Sequence, residues 1–211
     1  MSQNAITTIV LVRHGQTDSN AAAVYTGRSD EELNDSGRAQ ARRLSSRLAS
    51  FPIARVYTSP IRRTHTTASI IAEPHRVEPE TMQGLVELDL GEWQGLNATQ
   101  IATRWPDTWH RSRTDPSDLA IPGGETFPQV TRRAVRAFDV AVEANPGKSV
   151  VLVTHEIVVK LIVTHALGAT NSIYRRFQVT NASLTIIRVA DGTCRLVTLN
   201  DTSHLESIAS P

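Results

Sequence analysis

One cysteine, Cys194, stands in 211 residues, so no disulfide can form within the chain. That scarcity points to a reducing compartment and hence to the cytoplasm. The roughly 20 consecutive apolar residues of a membrane-spanning helix occur nowhere, so no span is expected. Residues 1–8 carry no basic start followed by an apolar stretch, so no export signal is expected. Charge of one sign is also missing. Twenty-two Lys and Arg face 21 Asp and Glu for a net +1, which argues against coating nucleic acid or a membrane surface. Lysine itself is scarce: apart from Lys148 and Lys160, the cations are arginines. Arginine is the better fork for phosphate or carboxylate. No repeat, low-complexity tract or long linker divides the chain, so residues 1–211 are expected to form one domain.

What is present alternates between strands and helices. Residues 7–12 (TTIVLV), 54–58 and 149–154 (SVVLVT) are β-branched runs that read as strands, the first and last fully buried. Residues 34–50 read as a helix capped by Asn34 or Asp35 and stopped by Phe51-Pro52. Residues 59–73 read as a second helix, with Ser59 as its cap and Pro60 at its first position. A short strand is expected at 75–78. Residues 98–105, 126–144 and 156–167 read as further helices, and 107–124 as loop. Two last strands, near 183–189 and 195–199, meet in an Asp191-Gly192 hairpin turn. The alternation predicts an α/β three-layer sandwich, a mostly parallel sheet with helices on both faces. Residues 91–125 fit it worst and are expected to form a small inserted cap.

Three strand-forming runs end in the same chemical vocabulary: Arg13-His14, then Ser59 to Arg63, then Thr154-His155. Ligands of an open α/β sheet bind at the carboxyl ends of its strands. Residues far apart in sequence therefore converge there, with two histidines and at least two arginines facing one cavity. Helix N-termini would add their positive dipole ends. Such a cavity suits a dense anion, phosphate above all. Paired histidines also suit a metal, but adjacent arginines would repel a divalent cation and no His-x-x-His or Cys pattern supports one.

Arg13-His14-Gly15-Gln16-Thr17, with Asn20 beyond it, resembles the signature of the histidine phosphatase superfamily, the phosphoglycerate mutase-like proteins. The resemblance continues in order through Gly27, Asp30, Leu33, Gly37 and Gln40-Ala41. It takes in Ser59 through Ala68, Leu85-x-Glu87 with Gly91-x-Trp93-x-Gly95, Gly123-Gly124-Glu125 and Val153-Thr154-His155. The resemblance implies that His14 is a nucleophile that becomes phosphorylated. It implies that Arg13, Asn20, Arg63 and His155 bind the phosphoryl oxygens, and that Glu87 protonates the leaving oxygen, with Asp89 and Glu92 as rivals for that role. It selects Arg63 over Arg62, which reads as a solvated residue. It implies no metal and no cofactor. Gln16, Thr26, Gly27, Arg28, Trp109 and His110 are further candidates for touching substrate.

The chain departs from the family pattern at Glu156, where glycine is usual after the second histidine. Lying in a helix's first turn, this carboxylate is expected to point away from the phosphate pocket. The acidic block reads Glu87-Leu88-Asp89-Leu90-Gly91-Glu92-Trp93. That resembles the bacterial phosphatases of the family rather than its mutases. The implied activity is hydrolysis of small soluble phosphate esters. Mutase-type transfer is an alternative, as is α-ribazole phosphatase or glucosyl-3-phosphoglycerate phosphatase as the specific reaction. A small-molecule ester is the expected partner, without nucleic acid or membrane, and assembly into homodimers stays open. Trp93, Trp105 and Trp109 read as packing residues, and Cys194 as an inert strand residue.

Overall fold

The computed structural model describes residues 5–206, so residues 1–4 of the segment read for an export signal lie outside it. In chain order come β1 (Thr7–Arg13), α1 (Asp18–Ala21), β2 (Val24–Tyr25), α2 (Asp35–Leu48), β3 (Ile53–Thr58) and α3 (Arg62–Ala72). Next are β4 (Glu80–Thr81), β5 (Leu96–Asn97), α4 (Ala98–Arg104), α5 (Pro106–Thr114) and α6 (Phe127–Glu143). The chain closes with β6 (Ser149–Thr154), α7 (Glu156–Ala166), β7 (Leu184–Ala190) and β8 (Thr193–Asp201).

Six strands form one sheet in the order β4-β3-β6-β1-β7-β8. The first four run parallel, while β7 and β8 are antiparallel at one edge. Buried on both faces, β1 is apolar from Ile9 to Val12, and its alternation divides the core. Ile9 and Leu11 face Val130, Ala134, Phe138, Val158, Leu161 and Ile162 of α6 and α7. Val10 and Val12 face Leu44, Leu48, Ala68 and Ile71 of α2 and α3. The mostly parallel sheet flanked by helices is the architecture expected from the alternation.

Three local readings need correction. The helix after β3 begins at Arg62 with Ile61 as its cap, and no side chain caps it. Ser59 is instead held by its backbone N–H on the Val153 carbonyl, 3.1 Å away. No strand forms at 75–78: His75 ends a 3₁₀ turn, Glu73–His75, the chain then runs without regular structure, and the edge strand forms later as β4. Within 107–124, expected as loop, lies most of α5. Trp105, Trp109 and Ser112 fall one and two turns apart there, and Trp109 packs edge-on against Trp93 and Tyr25. That aromatic face supplies the burial which a polar composition conceals.

The ends of β1, β3 and β6 lie side by side. The N–H of His14 donates to the Thr154 carbonyl at 3.0 Å, which sets the first histidine beside the second. Above β1, the turn at Gly15-Gln16 touches the start of α2. Asn34 caps that helix by accepting from the Gly37 N–H at 2.8 Å, a contact worth about 1 kcal/mol. A Cβ on Gly37 would lie 2.0 Å from the Gln16 carbonyl oxygen, and one on Gly15 would lie 2.4 Å from that of Gly37. Two backbones meet here because neither residue has a side chain. Gly37→Ala is therefore expected to cost about 1–3 kcal/mol of stability, as overpacking does. Urea unfolding would measure that loss, with a parallel loss of turnover as the His14 loop shifts.

Candidate active site

The loop that carries His14 is fixed from three sides. The Gly15 N–H donates to Thr67 Oγ1 of α3 at 3.1 Å, and the Gln16 N–H to Gln40 Oε1 of α2 at 2.9 Å. Asn181, on the segment leading into β7, donates from Nδ2 to the carbonyl of His14 and to Asn20 Oδ1. His14 Nδ1 lies 2.7 Å from its neighbour's carbonyl, Gly15 O. Only the Nδ1–H tautomer of the neutral ring can donate there, so Nε2 carries a lone pair and no proton. That lone pair accepts from Arg63 Nε at 3.2 Å.

Arg63 is 1% exposed. Its Nη1 and Nη2 donate to the carbonyls of Ser29 and Gly27, each at 2.7 Å. Among the described residues it has no carboxylate partner. A buried cation satisfied by neutral carbonyls and an imidazole nitrogen favours the arrival of an anion. His155 lies beneath it, fully buried, with Nδ1 3.2 Å from Arg63 Nη2 and Nε2 2.9 Å from Ser59 Oγ. The two histidine rings stand edge-on with centroids 5.3 Å apart.

Glu87 lines the same cleft, of about 440 Å³. Its Oε1 accepts from the Leu88 N–H at 2.8 Å. The backbone behind it is clamped by a charge network absent from the sequence reading. Arg133 of α6 grips Glu125 with both ends of its fork, at 2.9 and 2.8 Å. It also donates to the carbonyls of Gly84, Val86 and Glu87. Arg28 completes the network, 2.8 Å from Glu125, 3.5 Å from Asp89 and 3.2 Å from the Glu87 carbonyl. Arg28 therefore supports the Glu87 loop from outside the cleft lining. Asp89 is occupied by this network and by the Gly91 N–H, and Glu92 is exposed.

Arg13, His14, Asn20, Thr26, Gly27, Arg63 and Glu87 all line the cleft. Gln16 and Trp109 lie off its lining, Gln16 against α2 and Trp109 among aromatic rings. His110 is exposed on α5, and Arg62 is exposed and paired with Asp30 at 2.8 Å. Glu156 reverses its expectation. It lines the cleft, with Oε2 3.0 Å from Arg13 Nη1 and Oε1 2.6 Å from Lys160 Nζ. The attraction of Arg13 and Lys160 holds its carboxylate down despite burial. Tyr25, Lys160, Tyr174, Arg175 and Asn181 also line the cleft. The sequence reading singled out none of them as site residues, because no motif joins them and long-range folding alone assembles them.

Burial, then the neighbouring Arg63 and Arg13, push the His14 imidazole well below its ordinary pKa. Burial likewise keeps His155 well below it. Burial pushes the Glu87 carboxyl up, against the Leu88 N–H and the pull of Arg63. An imidazole inclined to stay neutral, its Nε2 lone pair held by Arg63, thus shares a cleft with a carboxyl inclined to keep its proton. Those are the states that nucleophile and proton donor need.

The family model of the histidine phosphatase superfamily, branch 1, matches residues 9–202. A metal-independent phosphoserine phosphatase of Arabidopsis thaliana is 32% identical over 98% of this chain and 86% of its own. The structure of Bacillus stearothermophilus YhfR superposes with TM-score 0.90 at 31% identity, covering 95% of this chain and all of that one. The mycobacterial glucosyl-3-phosphoglycerate phosphatase Rv2419c, solved with VO3, gives TM-score 0.85 at 28% identity over 92% and 99% of the two chains. With the ordered motifs gathered at one cleft and the match spanning nearly every strand, the chain belongs to branch 1 of the histidine phosphatase superfamily.

Proposed function

We propose that this protein hydrolyses small phosphate monoesters through a phosphohistidine on His14, with Glu87 as proton donor and no metal. One observation carries the reading: His14 gives its Nδ1–H to the Gly15 carbonyl and turns its Nε2 lone pair toward Arg63 inside the cleft. In the first step Nε2 forms a bond to phosphorus while the ester P–O bond breaks. Positive charge developing on the ring is met by the Gly15 carbonyl at Nδ1–H. The proton of Glu87 passes to the leaving oxygen, and the arginines meet the charge on the phosphoryl oxygens. In the second step water attacks phosphorus, returns a proton to Glu87 and frees inorganic phosphate and His14. The relatives named for phosphoserine and glucosyl-3-phosphoglycerate hydrolysis support an ester of this size.

Arg13 and Arg63 supply at the cleft the positive charge that a divalent ion would bring, and the Arabidopsis relative is named metal-independent. In this reading residues around 91–125 cap the cleft, since Trp109 packs on the cleft-lining Tyr25. Among the described residues no helix is long and apolar enough to cross a membrane, and the single cysteine suits a cytoplasmic enzyme.

His14→Ala should abolish turnover while circular dichroism stays native. Rapid quenching of wild type with labelled substrate should trap an acid-labile, base-stable phosphoprotein. A label on any other residue would remove His14 from its role.

Glu87→Gln should slow alkyl phosphates by about 100-fold or more, the usual reach of a general acid, and p-nitrophenyl phosphate by far less. The acid form acts first, so kcat/KM should fall as pH rises through the elevated Glu87 pKa. His14 is held neutral, so the acid limb should lie below the ordinary histidine range. The glutamine variant should lose the alkaline limb alone. An equal loss on both substrates would assign Glu87 to binding instead.

Exhaustive treatment with EDTA should leave activity intact, and vanadate should inhibit competitively by occupying the arginine cage. Activity lost to EDTA and restored by one metal would contradict the metal-free reading.

A further inference from the structure

The phosphate chemistry accounts for one end of the cleft. Lys160 lines the same cleft beyond Arg13 and Glu156, one helical turn along α7 from Glu156, and is 7% exposed. Among the described residues, the Glu156 carboxylate is its hydrogen-bond partner, at 2.6 Å. The same carboxylate accepts from Arg13 at 3.0 Å. Two cations therefore share one counterion. Arg175 stands on the same wall. Its guanidinium carbon lies 5.1 Å from the Tyr174 ring centroid, and Lys160 Nζ lies 5.8 Å from that centroid. Both hold fixed positions: Arg175 Nε and Tyr174 Oη donate to the Ser112 carbonyl, at 2.9 and 2.8 Å.

The charges do not cancel. Arg13, Arg63, Lys160 and Arg175 line the cleft against Glu87 and Glu156. Glu87 holds its proton before transfer and both histidines are neutral, so Glu156 offsets one cation of the four. A phosphomonoester dianion matches two more at the His14 end. One positive charge is left over, on the wall formed by Lys160 and Arg175. A single remaining charge suits a carboxylate; a second phosphate dianion would overfill it. Lys160 is buried and Arg175 exposed, so a missing counterion is costly chiefly at the lysine, and the imbalance acts as a preference among substrates.

We infer that Lys160 and Arg175 form a carboxylate-binding subsite, which selects phosphate monoesters whose alcohol portion bears a carboxylate. Glu156 serves as the shared counterion that holds Arg13 and Lys160 in place. This inference rests on the phosphatase reading and gives it a substrate class.

A matched pair of substrates tests it. 3-Phosphoglycerate and glycerol 3-phosphate differ in a carboxylate against a hydroxymethyl group. Wild type should favour 3-phosphoglycerate at least tenfold in kcat/KM, mostly through KM. Lys160→Met should bring that ratio close to one, Arg175→Gln should lower it partway, and Lys160→Arg should keep most of it. The ratio is the readout, because loss of Lys160 also frees Glu156 toward Arg13 and affects both substrates. A wild-type ratio near one, or a ratio unchanged in Lys160→Met, overturns the subsite. Titration calorimetry of both esters against His14→Ala, with and without Lys160→Met, reads the same preference without turnover. If no ester releases phosphate yet the binding preference depends on Lys160, the subsite stands and the phosphatase reading falls. If esters are hydrolysed and no preference is found, the reverse holds.

Discussion

A guanidinium buried without a carboxylate is the constraint from which the site follows. Arg63 is held by the carbonyls of Gly27 and Ser29 and by the lone pair of His14. Each contact leaves its charge uncancelled. Burying such a group costs several kcal/mol unless something compensates it, and the fold supplies many partial dipoles rather than one full counterion. The compensation is left for an anion to complete. Everything nearby serves to hold the cation still: α3 carries it, the loop between β2 and α2 receives it, and His155 with Ser59 lies beneath it.

That same charge sets the states of its neighbours. It discourages a proton on His14 and His155, which burial already disfavours. It pulls Glu87 toward ionisation, yet burial outweighs the pull. The outcome is a separation between groups that titrate close together in water: the imidazole is pushed toward its bare form and the carboxyl toward its protonated form. The Glu125, Arg133 and Arg28 network fixes the backbone of the carboxyl, so this difference is kept at one place in the cleft.

The architecture and the meeting of Arg13, His14 and Arg63 at one cleft were legible in the sequence because both follow from local features. Buried β-branched runs name the strands, and the residues at their ends name the cleft. His14 and Arg63 meet there for that reason. What was not legible depends on which distant charges meet. Arg28 reads as an anion receptor until Asp89 and Glu125 close on it. Glu156 reads as the solvated first residue of a helix when α7 is considered alone. Arg13, at the end of a neighbouring strand, turns that carboxylate inward. The helix α5 lay concealed by Pro, Asp, Ser and Arg, although Trp105 and Trp109 stand one turn apart and mark its packed face.

The small ladder between β2 and β5 bears on how the protein exchanges its ligands. It consists of two residue pairs, Val24 with Asn97 and Tyr25 with Leu96, and it joins the segment after the His14 loop to the start of α4. The six-stranded sheet shares no strand with it. A ladder of that length opens at the cost of a few backbone hydrogen bonds, each worth about 1 kcal/mol net. The large sheet need not loosen when it does. Amide protons of this ladder should therefore exchange with solvent through local opening, far faster than those of β1 and β6. The rim of the cleft can then admit and release molecules while the arginine cage beneath it stays rigid.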